Sequence, residues 1–290
     1  RMSGASSGGA STIMMDYFLK NGGYVVGAIY DDEWKAIHKI SDKEEDLNLF
    51  KGSKYYQSDT LNIYKETKKI LSENKPVLFA GTPCQIAGLK NFLKKDFENL
   101  ITVDIVCHGT PSYKSFKMFL ENAVPQNEKI EGINFRDKKR GWNSEFLISV
   151  KTSESEYESN SSENPFVSAF LKNLSIRKSC FTCPFQSTPR QGDITIGDFW
   201  KVAKYKKDLD DGKGTSILTA NSEKGANFLG RIKHLFAVCE KTPYKAAIRG
   251  NSTLVKPTRF NPFRDEFMLR LTKDNFNALV KKYLKNKYKG

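Results

Sequence analysis

The sequence predicts an α/β fold, with α+β as the alternative, built on a mixed sheet with strand–loop–helix units and a C-terminal helical extension. Two neighbouring segments lead to this prediction. Val77–Ala80 is a short apolar run that ends at a glycine, and a loop and a helix-like segment follow it. Ile101–Val106 is mostly apolar and β-branched, and it leads into a loop and then into helix-like Tyr113–Asn122. Two such units in succession are typical of parallel strands joined by helices.

The elements before these two units are predicted from local periodicity. Ala10–Lys20 carries apolar side chains at helical spacing, and the Asn-Gly-Gly that follows is a usual helix end. Tyr24–Tyr30 is a β-branched and aromatic run, and Trp34–Ile40 alternates like a returning strand. Thr60–Glu73 is predicted to be an amphipathic helix.

The same criteria predict further elements beyond the two units. The expected strands are Lys129–Asp137, Phe146–Lys151, Ile194–Ile196 and Thr215–Thr219. The expected helices are Pro165–Leu174, Lys224–Leu235 and Asp274–Lys287. The polar segment Ser153–Asn164 is expected to be a solvated loop or a hairpin tip. Asp274 at the start of the last helix suits the helix dipole.

Composition limits the function classes. A chain of 290 residues with 39% hydrophobic content can bury a real core. The net charge of +14 indicates either a solvated lysine-rich surface or a docking face for an anionic partner, such as a nucleic acid or an acidic redox protein. No nucleic acid is expected, because helix-turn-helix, zinc-finger and RNP-like patterns are missing. No membrane span is expected, because no apolar run approaches about 18–20 residues.

Five cysteines in a long chain indicate reduced thiols in a cytoplasmic protein, because disulfide scaffolds are short and have even counts. Four lie in loop-like positions. Cys84 and Cys107 are at the tips of the two predicted strands, and Cys180 and Cys183 form a CxxC pair. Cys239 lies in an apolar segment and is expected to be a small buried side chain.

A CxxC pair suits half of a zinc site, a redox dithiol or part of an iron–sulfur site. Pro184 follows the pair directly, which disfavours a dithiol that opens a helix. Structural zinc usually takes its ligands from two local pairs of residues, whereas this chain has one pair and two isolated cysteines, which favours a 4Fe–4S cluster. A zinc site and four unrelated cysteines remain open as alternatives. A nucleophilic pair of Cys107 and His108 is disfavoured, because neighbours at a strand end point to opposite sides.

Two small-residue loops are candidate ligand sites. Ser3–Gly9 precedes a helix, so it is either an anion site formed by free backbone N–H groups or a flexible terminus. The second loop, Leu47–Ser58, carries hydroxyl, amide and ammonium groups around Gly52, on Ser53, Lys54, Gln57 and Ser58. It is either a site for a phosphate or a ring edge, or an ordinary loop without a ligand.

Seven blocks appear in a characteristic order: SGASSGG at 3–9, GSKYYQS at 52–58, VLFAGTPCQIAGL at 77–89, VDIVCHGTPS at 103–112, FRDKKRGW at 135–142, RKSCFTCPF at 177–185 and DITIGDFW at 193–200. Through these blocks the sequence resembles the coenzyme F-420 hydrogenase/dehydrogenase beta subunit family, whose members look like iron–sulfur flavoproteins. The resemblance implies a non-covalent FAD beside one 4Fe–4S cluster.

Carried onto this chain, the resemblance implies a set of site residues. The implied cluster ligands are Cys84, Cys107, Cys180 and Cys183. The implied FAD contacts are Ser6, Ser7, Gly8, Gly9, Ser53, Lys54, Tyr55, Gln57, Ser58, Thr82, Pro83 and Gln85. The catalytic residue is unknown, and His108 and Lys54 are candidates for supplying protons or stabilising reduced flavin.

The resemblance also implies an organisation of the chain. A flavin-contacting segment is expected at 1–72, a core with the cluster-ligand cysteines at 75–240 and a basic C-terminal helical extension at 241–290, within one compact unit. Bacterial relatives often carry a ferredoxin-like segment upstream. None is present here, and the start at Arg1 suggests that it was removed.

The implied activity is electron transfer between a ferredoxin-type carrier and an organic acceptor, either a deazaflavin coenzyme or another small molecule. The expected partner is an acidic ferredoxin or the upstream ferredoxin-like domain, docked with help from the basic surface. Two other functions remain open. One is a zinc-stabilised, non-enzymatic binding module, and the other is a thiol-dependent transferase or hydrolase that uses Cys84 or Cys107.

Overall fold

The computed structural model describes residues 4–142, 145–271 and 275–285. The chain divides into two compact units. Unit 1 comprises Arg1–Lys51, Ser58–Cys107 and Pro184–Lys256, and unit 2 comprises Gly52–Gln57, His108–Cys183 and Pro257–Gly290. The chain therefore leaves unit 1 directly after Cys107 and returns to it directly after Cys183.

The described residues form nine strands and ten α-helices, numbered in chain order. The strands are β1 Tyr24–Tyr30, β2 Ala36–Ser41, β3 Val77–Gly81, β4 Leu100–Ile105, β5 Ile130–Asp137, β6 Leu147–Thr152, β7 Glu156–Asn160, β8 Ile194–Asp198 and β9 Ser216–Ala220. The helices are α1 Ala10–Lys20, α2 Ile63–Ser72, α3 Pro83–Leu93, α4 Tyr113–Ala123, α5 Pro165–Leu171, α6 Val202–Tyr205, α7 Glu223–Ile232, α8 Tyr244–Gly250, α9 Arg264–Arg270 and α10 Phe276–Leu284.

Unit 1 is built on a six-stranded mixed sheet with the order β2-β1-β3-β4-β8-β9. The four inner strands are parallel, and the two edge strands, β2 and β9, run antiparallel to their neighbours. The register places Leu78 of β3 between Val25 of β1 and Ile101 of β4. Parallel strands require crossover connections, and α2 and α3 supply two of them.

Both faces of this sheet are covered, which explains the continuous apolar run of β3. Leu78 and Ala80 pack on one face, in a core shared with α1 and α7. Val77 and Phe79 point to the other face and pack with α2 and α3. Side chains alternate across a strand, so a strand buried on both faces is apolar at every position.

Unit 2 contains the three-stranded antiparallel sheet β5-β6-β7 and the helices α4, α5, α9 and α10. Its core is rich in aromatic rings centred on Phe116 of α4, which is fully buried. Phe116 stacks on Tyr56 with ring centroids 4.4 Å apart and contacts Phe135 and Phe166 at 5.6 and 5.4 Å. Helix α10 packs against α4 and α5.

The predicted fold class is confirmed, with a mixed sheet, strand–loop–helix units and C-terminal helices. Most predicted elements lie within a few residues of the observed ones. The last helix is observed as Phe276–Leu284, and the predicted ends Asp274 and Lys287 lie outside the described residues. The proposed segments 1–72, 75–240 and 241–290 stay a prediction.

Three expectations are corrected by the structure. Ser153–Asn164 is not only a loop or hairpin tip, because Glu156–Asn160 pairs with β6 as an exposed edge strand, where polar side chains face solvent. The strand predicted from Trp34 begins at Ala36, because Trp34 has φ +60° inside a turn. Cys239 is exposed, because residues 236–243 between α7 and α8 form neither helix nor strand.

Candidate functional site

Three predicted site segments of unit 1 lie at the carboxyl edge of the parallel strands. Thr82–Gln85 directly follows β3, and Cys107 comes two residues after β4. The Ser6–Gly9 loop lies at this edge too, because the Gly8 N–H donates to Ser216 Oγ at 3.1 Å, and Ser216 is paired with the last residue of β8. Ligands of open α/β sheets bind at carboxyl edges, so unit 1 brings these segments to a favourable place.

The Thr82–Gln85 turn is held by its own side chains. Thr82 and Gln85 occupy the two ends of a capping box, with Pro83 in the first turn of α3. The Thr82 N–H donates to Gln85 Oε1 at 2.9 Å, and Gln85 Nε2 donates to Ser58 Oγ at 3.0 Å. Ser58 and Gln85, which the sequence places in separate blocks, are therefore neighbours in unit 1.

Cys84 is exposed in the first turn of α3. Its Sγ lies 3.1 Å from Thr82 Oγ1, a distance at which the hydroxyl can donate to the sulfur. Tyr64 lies close to it, with its hydroxyl donating to the Gln85 carbonyl at 2.9 Å. Burial raises the pKa of the Tyr64 hydroxyl, and the neighbouring Cys84 adds to the rise.

Cys107 is half-buried at the end of the strand-like segment that follows β4. The Val106 N–H donates to the Ile196 carbonyl at 2.7 Å, which extends the pairing of β4 with β8. The Gln186 side-chain amide donates to the Cys107 carbonyl. The backbone at Cys107 is thus held by β8 and by the loop before β8, which contains Gln186.

The Ser6–Gly9 loop packs against the start of β9. Ser7 Oγ donates to the Thr215 carbonyl at 3.2 Å. A Cβ on Gly8 would lie 3.0 Å from Ser216 N, so glycine permits this close approach. Gly9 has φ +78° and precedes α1 without a side-chain cap. The loop is therefore an ordered part of unit 1 and not a loose terminus, while Ser3 lies outside the described residues.

The CxxC pair belongs to unit 2. Cys180 lies within a 3-10 turn, Lys178–Thr182, and Cys183 directly follows it, and both thiols are half-buried. The turn is braced by the loop after Cys107, because the Arg177 N–H donates to the Thr110 carbonyl at 3.0 Å. Gly109 has φ +127°, and a Cβ there would meet Ile176 at 2.7 Å and Cys180 Cβ at 3.4 Å. Only glycine fits this position easily.

His108 of unit 2 is held by Asn173. The distance between His108 Nε2 and Asn173 Oδ1 is 2.8 Å, and Asn173 Nδ2 donates to the Arg259 carbonyl at 3.0 Å. Because that second bond orients the amide, Oδ1 accepts and Nε2 carries the proton. Burial lowers the pKa of His108, against an opposing effect of the Asn173 hydrogen bond. The imidazole is therefore neutral at pH 7, with Nδ1 as its basic atom.

The GSKYYQS block is divided between the units. Ser53, Lys54, Tyr55 and Gln57 lie in unit 2, and Ser58 lies in unit 1. Tyr55 packs on Phe135 and Phe170, each at 5.4 Å between centroids, and Gln57 accepts a hydrogen bond from Arg177.

Lys54 is half-buried, and its Nζ donates to the Gly52 carbonyl at 3.2 Å. Desolvation lowers the pKa of Lys54 to about 7, so both its charged and its neutral form are present near neutral pH.

Sequence reasoning missed two features of these surroundings. Asn173 lies inside the predicted helix Pro165–Leu174, although an Asn just after a helix is a known signal for the left-handed conformation, and its φ is +61°. The buried Asp104 lies inside the predicted apolar strand Ile101–Val106. It pairs with Arg190, which is also buried, and a charged residue inside such a run is a signal for a buried partner.

Cys84 and Cys107 lie in unit 1, and Cys180 and Cys183 lie in unit 2. None of the four forms a disulfide, and none is completely buried. A set of four reduced thiols fits the ligand chemistry of an iron–sulfur cluster and also that of zinc. Across the described ranges, no three His, Cys, Asp or Glu side chains are grouped to hold a metal ion. In the same ranges, no helix is long and apolar enough to cross a membrane.

Comparison with known proteins adds a family and a related fold. The family that comprises the C terminus of the "Coenzyme F420 hydrogenase/dehydrogenase, beta subunit" matches residues 74–243, more than half of the chain. No curated protein matches. A chain of the xenon-derivatised F420-reducing NiFe hydrogenase complex from Methanosarcina barkeri has 18% sequence identity and a TM-score of 0.55, covering 99% of this chain and 88% of that one.

At 18% identity the structural likeness supports the fold alone. The match over residues 74–243 supports membership of the family. Hydrogenases and dehydrogenases are oxidoreductases, so an oxidoreductase role is indicated. The expected family is confirmed by the match over 74–243. This chain belongs to the coenzyme F420 hydrogenase/dehydrogenase beta-subunit family.

Proposed function

We propose that the chain is a cytoplasmic iron–sulfur flavoprotein that passes electrons between a ferredoxin-type carrier and an organic acceptor, through FAD and one 4Fe–4S cluster. The observation that carries the proposal lies in unit 1. Cys84, Cys107 and the Ser6–Gly9 loop all lie at the carboxyl edge of the parallel strands. That edge is where cofactors bind in open α/β sheets, and family membership supports a redox role.

The proposed cluster ligands are Cys84, Cys107, Cys180 and Cys183. None of them forms a disulfide, and all are partly or fully exposed. A bound cluster would supply one-electron transfer. Thr82 Oγ1 donates to Gln85 Oε1 at 3.1 Å and lies 3.1 Å from Cys84 Sγ, so its one proton would have to turn to the sulfur in order to tune the cluster potential.

The proposed FAD contacts come from the Ser6–Gly9 loop, the Thr82–Gln85 turn and residues 53–58. A bound flavin would supply two-electron chemistry with the organic acceptor. The hydrogen bonds of Gln85 to Thr82 and Ser58 hold two of these segments in a fixed relation within unit 1. The backbone from Gly9 onward, at the start of α1, would face an anionic group such as a phosphate, because the Gly8 N–H already donates to Ser216 Oγ.

The electron balance requires a proton source. Each organic acceptor takes up two electrons and two protons, so two molecules of a reduced one-electron carrier are oxidised. Lys54 and His108 are the proposed donors. Lys54 has a pKa of about 7, and general acid–base groups work best near the operating pH. His108 holds its Nε2 proton against Asn173, so Nδ1 is the atom that would accept and return a proton.

The proposed partners follow from the same chemistry. The electron carrier would be an acidic ferredoxin, because the chain has a net charge of +14. The organic acceptor would be a deazaflavin coenzyme, the compound in the family's name, or another small molecule of similar hydride chemistry.

Anaerobic purification of the whole chain tests this function. We expect flavin and iron–sulfur absorption bands, about four irons and four acid-labile sulfides per chain, and one extractable FAD. Colourless protein without iron, sulfide or flavin would contradict the proposal. One zinc per chain without iron would instead support a zinc-stabilised binding module, and a metal-independent activity lost on alkylation would support a thiol enzyme.

A further inference from the structure

Unit 1 carries a lysine-rich surface on the helices α2 and α3. Between Ile63 and Lys95 the chain has seven lysines and two glutamates. Six of the lysines are exposed on the two helices or directly after α3, and we call them the α2/α3 lysine surface: Lys65, Lys68, Lys69, Lys90, Lys94 and Lys95.

The charge of this surface is not neutralised internally. In the described part of the chain, no ion pair joins these six lysines to a carboxylate, whereas the seventh, Lys75, pairs with Glu73 at 2.8 Å. Glu66 on α2 and Asp96 after α3 are the acidic neighbours. A shallow depression of about 330 Å³ is lined by Lys90, Asn91, Lys94, Lys95 and Asp96. The positive charges are thus available to an anionic partner.

An exposed aromatic ring lies among the lysines. Phe92 of α3 is 42% exposed, and Lys68 Nζ of α2 lies 5.6 Å from its ring centroid. Tyr64 of α2 contacts the same ring at 6.2 Å between centroids, so the ring joins the two helices. An aromatic side chain surrounded by cationic ones is the composition of an interface anchor with a charged rim.

The surface begins beside a proposed cluster ligand. Cys84 is exposed in the first turn of α3, and Asn91 of the depression lies seven residues further along the same helix. Seven residues are close to two helical turns, so both residues face the same side, about 10 Å apart along the axis. A protein bound over Phe92 and the depression would therefore lie near the Cys84 thiol.

We propose that the α2/α3 lysine surface docks an acidic one-electron carrier protein of the ferredoxin class, with carboxylates on the lysines and an apolar contact on Phe92. The inference rests on the proposed function and adds the docking surface to it. Each docked carrier passes one electron and leaves oxidised, so two dockings serve one acceptor. Single-stranded nucleic acid fits less well, because it needs a series of stacking rings and this surface exposes one.

Calorimetric titration of the full chain with an acidic single-cluster ferredoxin tests the surface. The variants are the triple substitution Lys90→Glu, Lys94→Glu, Lys95→Glu and the single substitution Phe92→Ala. The matched control is Arg231→Glu, Lys233→Glu, Lys241→Glu. It reverses the same number of exposed charges: Arg231 and Lys233 at the end of α7, which packs on the opposite face of the sheet, and Lys241 in the segment that follows.

We expect the wild type to bind with an affinity that falls as salt rises. The first triple variant should bind roughly tenfold or more weakly and lose most of the salt dependence, because complementary charges govern such encounters. Phe92→Ala should weaken binding with the salt dependence kept. The control should stay within about threefold of the wild type.

Four results would overturn the inference. They are equal weakening by both triple variants, no weakening by either, wild type that fails to bind the ferredoxin, and tighter binding of a 20-nucleotide single strand through the same lysines. Iron and flavin contents of the same preparations are measured separately. A chain that contains iron and flavin but does not bind the ferredoxin would overturn the docking surface and leave the FAD and 4Fe–4S part of the proposed function standing.

Discussion

Arg190 Nη2 donates to Asp104 Oδ1 at 2.7 Å, and both side chains are buried in unit 1. Asp104 lies near the end of β4, three residues before Cys107. Its second oxygen accepts the backbone N–H groups of Gln191 and Gly192 at 3.0 and 2.8 Å. This one carboxylate therefore fixes the segment that enters β8 to the strand that ends at a proposed cluster ligand.

Removing Arg190 should destabilise unit 1 strongly. Arg190→Met leaves the Asp104 carboxylate buried without its cation, and we expect a loss of about 3–5 kcal/mol in the free energy of unfolding. Urea denaturation followed by circular dichroism measures it. Lys151→Met is the control, because the exposed pair of Lys151 with Glu131 at 2.9 Å should contribute less than about 1 kcal/mol. Equal losses in the two variants would contradict the role given to the buried pair.

Cys84→Ser should lose the iron. Replacing a thiolate ligand by a hydroxyl removes one iron–sulfur bond, so we expect the iron and sulfide content of anaerobically purified protein to fall to a small fraction of the wild-type value. Cys239→Ser is the control, since Cys239 is exposed and outside the proposed ligand set. If Cys84→Ser keeps its metal and loses only activity, Cys84 acts as a nucleophile instead.

Phe116→Ala should destabilise unit 2. The ring is fully buried and touches Tyr56, Phe135 and Phe166, so truncation creates a cavity and removes several ring contacts. We expect a loss of roughly 3–5 kcal/mol in the free energy of unfolding. Leu269→Ala on α9, where the side chain is 75% exposed, is the matched truncation and should change little. A small effect of Phe116→Ala would show that the aromatic cluster does not form the core of unit 2.

Lys54 should make stability depend on pH. Its pKa is about 7 in the folded chain and 10.5 ordinarily, so the unfolded chain binds more protons between these values. The free energy of unfolding therefore increases as the pH rises from about 7 to 10.5. Lys54→Met removes this contribution. The variant should be more stable than the wild type at pH 7, and the difference should shrink towards pH 10.

Chemical denaturation at three pH values between about 7 and 10 measures the difference. Lys117→Met supplies the control, because Lys117 is an exposed lysine of α4 in the same unit. Its difference from the wild type should stay constant with pH. A Lys54→Met difference that is equally constant would show that burial does not perturb Lys54 in the folded chain.

Much of the sheet could be predicted from local patterns. Val77–Ala80 is apolar at every position because β3 is covered on both faces, and such runs indicate parallel strands. Ile101–Val106 is apolar except at Thr102 and Asp104. Cys84 comes four residues after the first run and Cys107 directly after the second, so their place at the carboxyl edge followed from the same prediction. The strand Glu156–Asn160 is not predicted by these patterns, because a polar edge strand lacks the apolar residues that mark a buried strand.

The sequence by itself determined the fold class, the parallel strands and the family, because repeated apolar runs and short ordered blocks are local signals. Only the tertiary structure decided which distant groups meet. It placed Asp104 on Arg190, His108 on Asn173 and Ser58 on Gln85, and it assigned Tyr55 and Ser58 of one short block to different units. Contacts between residues far apart in sequence depend on how the whole chain folds, and local periodicity contains no information about that.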